Sequence, residues 1–238
     1  MLIDLHSHLL HGVDDGPESF EMSMEMLRSA CESGIRVVVA TPHILDSFQN
    51  EDLILSRFRK ITEVIIEEKL EIDVFVASEI NFQFGIEDFL ESSIGTYRGM
   101  GRHFLVETTL THYPKHFEET LAKIIQSGKT PIFAHPARVG PIVGDIELIY
   151  RLVNMGLLMQ VNSGSLLGVF GSKVSTFAWE IVEKKMAHFV ASDAHNMRRR
   201  SFNLKEAWHE VRDRIDEETA DRLMFHNPLK VLSGERVV

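Results

Sequence analysis

At 238 residues and 44% hydrophobic composition, the chain can bury a large core as one unit over residues 1–238, the usual size of a (β/α) barrel. A formal charge of −10 argues against a non-specific nucleic-acid surface, which needs Lys and Arg to displace counterions. Many of the acidic residues are expected on solvated helix faces. No apolar run reaches the length of a membrane span, Met1-Leu2-Ile3-Asp4 lacks the basic start of a signal peptide, and the lone Cys31 has no partner for an internal disulfide. These features predict a cytoplasmic protein that does not insert into a membrane.

In chain order, strand-like runs alternate with helical patterns. The first run is Leu2–His8, and Phe20, Met24, Leu27 and Cys31 then mark one face of a helix ending near Gly34. Val37–His43 follows, then a helix marked by Phe58, Ile61 and Ile65, then Val74–Ser78 and Phe104–Val106. Phe117, Leu121 and Ile124 mark the next helix, with Pro114 expected in its first turn. Pro131–Ala134, a helix through Ile146, Ile149 and Val153, and a run ending Val161-Asn162-Ser163 come next. Val174, Phe177 and Ile181 precede His188–Ser192, and Leu204, Ala207, Val211 and Ile215 form a last helical face. Such alternation is the pattern of a parallel α/β sheet, and seven strands suggest a distorted or incomplete barrel.

Nearly every strand-like run ends in a residue able to ligate a metal. The first carries His6 and His8, the second ends at His43, and the others stop at Glu79, Glu107, His135 and Asp193, with His195 two residues on. Asp15 lies in the loop Val13-Asp14-Asp15-Gly16, where a turn can bring its carboxylate back over the strand ends. Only the run ending at Ser163 lacks an obvious ligand. His6 and His8, like Asp193 and His195, stand two apart and point to the same side of a strand. Each residue alone is more easily a hydrogen-bonded interior group, but the set at successive strand ends is not. An open doubly wound sheet would alternate in the same way, yet no Gly-x-Gly-x-x-Gly or Walker turn follows the first strand. Ligands gathered from so many strands favour a ring of strand ends, and hence a barrel.

These same residues, His6-Ser7-His8, Asp14-Asp15-Gly16, Ala40-Thr41-Pro42-His43, Glu79, Glu107, His135 and Ser192-Asp193-Ala194-His195, resemble the PHP (polymerase and histidinol phosphatase) family. Within it, Asp4–His8, Val13–Pro17, Gln160–Leu166 and Ala191–Asn196 are similar to the bacterial capsule-type protein-tyrosine phosphatases. The resemblance implies a distorted (β/α)7 TIM-like barrel holding three divalent ions, Mn, Fe or Zn. It assigns one ion to His6, His8, Glu79 and Asp193, a second to Glu79, Glu107 and His135, and a third to Asp15, His43 and His195, with Glu79 as a bridge. One departure is Ala137, where the family commonly has an acidic residue just before the arginine.

Three divalent ions, the four carboxylates and one hydroxide would leave the site about one unit positive, which suits an anionic substrate. Arg138 and Arg200 follow ligand positions closely enough to clamp phosphate oxygens, as the matching arginines do in the resembling phosphatases. Arg198 and Arg199 read as a solvated loop. The expected reaction is attack of a metal-activated hydroxide on a phosphotyrosine, whose phenol departs with little acid assistance. His11 is either a proton donor, a contact to the third ion or an ordinary surface-loop residue. By resemblance the substrate is the tyrosine-rich tail of a membrane-associated bacterial tyrosine kinase controlling capsular or exopolysaccharide synthesis. A histidinol-phosphate type of small-molecule phosphatase is the alternative, and a catalytically silent PHP domain is disfavoured by the intact ligand set.

Two other chemistries are excluded. A cysteine-dependent tyrosine phosphatase needs Cys-x5-Arg, whereas four residues separate Cys31 from Arg36, and Cys31 falls on the apolar face of a helix, as core. An amidohydrolase built on a carboxylated lysine needs a strand ending in lysine, and no run has one.

Overall fold

The computed structural model describes residues 1–44, 51–83 and 85–237. Its elements in chain order are β1 (Leu2–Ser7), α1 (Phe20–Glu32), β2 (Ile35–Ala40), β3 (His43–Ile44), α2 (Glu51–Glu68), β4 (Asp73–Val76), β5 (Glu79–Asn81) and the short α3 (Ile86–Phe89). Then come β6 (His103–Glu107), α4 (Phe117–Gln126), β7 (Thr130–Ala134), α5 (Ile146–Met155), β8 (Leu158–Asn162), the one-turn α6 (Ser163–Leu166), α7 (Ser172–Glu183) and β9 (Ala187–Ala191). The chain closes with α8 (Leu204–Arg214), α9 (Glu217–Asp221), a π-turn over Arg222–His226 and α10 (Asn227–Ser233).

Every strand pair is parallel. The strands form a sheet in the order β1-β2-β4 and a second in the order β3-β5-β6-β7-β8-β9. Alternate residues divide between two apolar clusters, as the two-residue period of a strand requires. Ile3, Leu5, Val39, Ala77, Leu105, Ile132, Ala134, Leu158 and Phe189 share the inner one, joined by Tyr97, Val231 and Leu232. Val38, Phe104, Val106, Phe133, Met159, Val161 and Val190 pack outward with Leu27, Leu121, Ile149, Phe177 and Leu204 of the helices. Parallel strands covered on both faces read as near-continuous apolar runs, which is why the sequence shows them so plainly.

Two of the seven expected runs are interrupted. Val37–His43 splits into β2 and β3 around Thr41-Pro42, and the run to Glu79 splits into β4 and β5 around Ala77-Ser78. Pro42 has no N–H for the ladder, but its carbonyl accepts from Glu79 N at 3.0 Å, so the two interrupted strands stay side by side as they pass from one sheet into the other. The other meeting of the sheets joins β1 to the end of β9: His8 N donates to Ala194 O at 2.8 Å and Asp193 N to His6 O at 2.9 Å.

The helices occupy the expected faces. Asp145 caps α5 by accepting from Leu148 N at 2.9 Å, and Gly156 ends it with φ 107°, a conformation that suits glycine. Two local expectations are corrected. Pro114 lies before α4 rather than inside its first turn, its carbonyl accepting from Phe117 N at 3.1 Å. Cys31 is half-buried and packs against the core edge instead of lying within it.

Candidate metal centre

The nine predicted ligand residues come to one place: His6 and His8 at the end of β1, His43 and Glu79 opening β3 and β5 after the strand breaks, Glu107 closing β6, His135, Asp193 and His195 just after β7 and β9, and Asp15 from the loop after β1. His6, His8, Glu79 and Asp193 are wholly enclosed, His195 and His135 nearly so, and Glu107 is also buried, while His43 is half-buried and Asp15 exposed. The donor atoms of eight of them fall into three groups, each compact enough for one ion: His6, His8, Glu79 and Asp193; His43, Glu79 and Glu107; and His8, Asp15, His43 and His195. The groups interlock more tightly than expected, with His8 shared by the first and third, Glu79 by the first two, and His43 by the last two. His135 borders the middle group, its Nε2 standing 2.8 Å from Glu79 Oε1 and 3.7 Å from Glu107 Oε2.

The backbone is bent to place two of these side chains. His135 and Asp193 have φ of 38° and 55°, a left-handed conformation costing on the order of 1–3 kcal/mol for such residues. Both occur where a strand ends and the chain must turn while its side chain stays over the mouth.

The donor chemistry fits divalent cations. His6 Nε2 and His8 Nε2 face each other at 3.3 Å, and both stand 3.2 Å from Glu79 Oε2 and 3.4 Å from Asp193 Oδ1. Glu79 Oε2 and His195 Nε2 are buried without hydrogen-bond partners. His43 Nδ1 is likewise unpaired, although it lies 2.9 Å from Glu107 Oε1 and 3.1 Å from Glu79 Oε2 without hydrogen-bond alignment. Burial by itself opposes charge on His6, yet the carboxylates of Glu79 and Asp193 outweigh it and raise its pKa. His8 is pushed well above its usual value in the same way, burial being overcome by the surrounding carboxylates of Asp14, Asp193 and Glu79. Burial opposes ionisation of Asp193 too, but His6, His8 and Arg200 hold its carboxyl well below the usual range. So many converging lone pairs and carboxylates demand positive charge between them, which an ion supplies with displacement of protons from the histidines.

A set of neighbours that sequence reasoning did not assign orients these donors. Asp14 Oδ2 accepts from His8 Nδ1 at 2.7 Å, and also from His43 N at 3.1 Å. Gln160 Oε1 pairs with His6 Nδ1 at 2.9 Å, Gln160 Nε2 donates to Asn162 Oδ1 at 2.9 Å, and Asn162 Nδ2 donates to Asp193 Oδ2 at 2.7 Å. β8, the strand with no ligand of its own, thus contributes a chain of amides that fixes two ligands of other strands. Such partners set the imidazole tautomer and turn its second nitrogen inward.

Arg138 and Arg200 converge on a single carboxylate. Arg138 Nη1 donates to Asp193 Oδ2 at 2.7 Å, and Arg200 Nη2 lies 2.9 Å from both Asp193 oxygens. Arg200 Nη1 reaches Asp15 Oδ2 at 3.4 Å. Ala137 is buried in the apolar core, so Arg138 takes its carboxylate from Asp193 rather than from its own neighbour in sequence. His11 is buried, not on the surface, and its ring packs edge-on to Phe20 at 5.5 Å. It belongs to none of the three groups.

A family model described as "Capsular polysaccharide synthesis, CpsB/CapC" matches residues 2–233. The chain belongs to the CpsB/CapC family. Among its relatives, the tyrosine-protein phosphatase YwqE of Bacillus subtilis is 34% identical over 208 residues, covering 87% of this chain and 82% of YwqE. The tyrosine-protein phosphatase CpsB of Streptococcus agalactiae is 28% identical over 244 residues, covering 99% and 100% of the two chains. A solved chain from the crystal structures of YwqE from Bacillus subtilis and CpsB from Streptococcus pneumoniae, described as unique metal-dependent tyrosine phosphatases, superposes with a TM-score of 0.92 at 30% identity. It covers all of this CpsB/CapC member and 96% of the solved chain. Histidinol phosphate phosphatase of Lactococcus lactis, solved with zinc, histidinol and phosphate, matches at a TM-score of 0.58 with 13% identity, over 96% and 98% of the two chains, a likeness of fold.

Proposed function

We propose that this chain is a metal-dependent protein-tyrosine phosphatase whose ions are held by His6, His8, Asp15, His43, Glu79, Glu107, His135, Asp193 and His195, with Arg138 and Arg200 as phosphate-binding residues. The observation that carries this is the interlocked set of donor groups with two guanidiniums beside them, in a member of the CpsB/CapC family. Three divalent ions, Mn, Fe or Zn, are the occupancy we infer for the three donor groups. We read the two sheets, meeting at β1/β9 and across the β2/β3 and β4/β5 breaks, as one distorted seven-stranded barrel.

Bound there, divalent ions supply Lewis-acid polarisation of the phosphoryl group and acidification of a water. The protein's own part is placement. Asp14 and Gln160 hold the His8 and His6 rings with one nitrogen outward, leaving the other for the cluster. Asp193 and Asn162 keep the guanidinium edges of Arg138 and Arg200 over the mouth, where planar forks suit phosphate oxygens. A phenol leaves with a pKa of about 10, so no dedicated proton donor is required.

The substrate class inferred is phosphotyrosine on a protein. The partner we favour is the tyrosine-rich tail of a membrane-associated bacterial tyrosine kinase, in agreement with the capsule-synthesis description of the family. A cytoplasmic location follows from that partner. No helix among the described residues is long and apolar enough to cross a membrane.

Metal content of the untreated protein, and assay of phosphotyrosine peptide against histidinol phosphate with Mn, Fe or Zn after chelation, test the proposal. Activity on the peptide that disappears with chelator and returns with one of these ions is expected. Full activity in excess chelator, or equal rates on both substrates, would overturn it.

A further inference from the structure

Among the described residues, Phe170 is the aromatic side chain that stacks on one of the two arginines. The Arg138 guanidinium carbon stands 4.2 Å from the centre of the Phe170 ring, a cation–π stack, while its Nη1 is held at its edge by Asp193. Arg138 is thereby fixed in both plane and direction.

The loop carrying the ring is built for this approach. It follows α6, turns through Gly168 and Gly171 at φ 77° and 94°, and is tied back by Val169 N donating to Gly164 O at 2.9 Å. Arg199 Nη2 donates to Val169 O at 2.9 Å, so the loop is strapped to the segment that presents Arg200. A Cβ at Gly164 would meet Phe170 Cε2 at 3.1 Å, so glycine there leaves room for the ring. Phe170 is half-buried, whereas Phe82, Tyr97 and Phe133 are enclosed in the core.

We propose that Phe170 selects aryl over alkyl phosphates, its ring on Arg138 forming the wall against which the phenyl ring of phosphotyrosine lies. This rests on the phosphatase function proposed above. A phosphate held on Arg138 places its ester substituent beside whatever flanks that guanidinium. A phenyl group gains an offset or edge contact with Phe170 there, and a small alkyl group gains almost none.

The test pairs two non-hydrolysable ligands, phenylphosphonate and methylphosphonate, whose dissociation constants are measured by calorimetry on the metal-loaded protein. The proteins are wild type, Phe170→Ala, Phe170→Leu and Phe170→Tyr, each checked for an unchanged melting transition. Wild type should prefer the phenyl ligand, and the Ala and Leu variants should lose about tenfold of that preference, roughly the worth of one aromatic contact. KM for a phosphotyrosine peptide should rise with kcat little changed, and Phe170→Tyr should keep both the preference and the KM. The leucine variant retains apolar bulk without the ring, so it separates stacking from packing. An unchanged preference in both variants, or equal weakening of both ligands, would overturn the inference and leave Phe170 as a prop for Arg138. A wild type that hydrolyses alkyl phosphates as readily as phosphotyrosine would instead remove the function on which it rests.

Discussion

Replacing Asp14 by asparagine should weaken metal binding without disabling chemistry. The carboxylate does three things at once: Oδ2 accepts from His8 Nδ1 at 2.7 Å and His43 N at 3.1 Å, and Oδ1 accepts from Gly16 N at 3.0 Å. An amide has one acceptor oxygen. If that oxygen faces His8, the NH2 meets the Gly16 N–H, donor against donor. If it faces Gly16, the NH2 meets His8 Nδ1, which must then accept, and the ring proton moves to Nε2, where it blocks the nitrogen that faces His6, Glu79 and Asp193. Loss of such an orienting partner lowers metal affinity by about 10- to 100-fold, or roughly 1.4–2.7 kcal/mol. Chelator competition gives the affinity, and activity against free metal concentration gives the half-saturation point. The half-saturation point should rise by that factor, with kcat at saturating metal within about threefold of wild type. Unchanged affinity would refute the orienting role of Asp14. A kcat that excess metal does not restore would place Asp14 in the reaction itself.

Arg200→Lys replaces a fork that reaches both oxygens of Asp193 with a point charge, so kcat/KM on phosphotyrosine should fall by about 10- to 100-fold, mainly through KM; an unaltered KM would contradict phosphate binding. Stripping the metal should lower the melting temperature, since ions at 100 times their dissociation constant stabilise the fold by about 2.7 kcal/mol, a shift of several degrees in a thermal melt; identical melts with and without chelator would count against the proposed cluster. His103 offers a pH test remote from the metal centre: burial, with Arg102 nearby, pushes its pKa from 6.5 down to about 4. Because the folded state resists this protonation, the stability concerned is present above pH 6.5 and is lost as the pH falls towards 4, on the order of 3 kcal/mol in all. Both His103 ring nitrogens are buried without partners, so His103→Leu should flatten that part of the urea-unfolding profile; equal slopes in the two proteins would show that His103 does not titrate there.

The positions of the strands were legible because they are apolar on both faces and all but the one ending at Ser163 meet a charged or imidazole residue. The interruptions at Thr41-Pro42 and Ala77-Ser78 were not assigned, although a proline within a central strand run is a signal of one. How the donor groups share residues was harder to see. His8 and His43 belong to two groups each because the donor side chains crowd together in three dimensions, which spacing along the chain does not carry. Adjacent Asp14 and Asp15 look alike in sequence, yet the turn sends one carboxylate inward to His8 and leaves the other exposed beside His43 and His195. Gln160 and Asn162 were hidden for another reason: uncharged amides at a strand end resemble ordinary polar termini until their partners are known. The short helices after Asp216 were missed because none is long enough to show a repeating apolar face.

The pairing of the first strand with the last has a consequence for assembly. His6 and His8 meet Asp193 within one donor group, so that group draws on both extremities of the fold. On a ribosome, the first strand waits until the chain has reached Asp193 before that group of donors is complete. With an ion held there as proposed, metal capture would be a late event, a clasp between early and late segments.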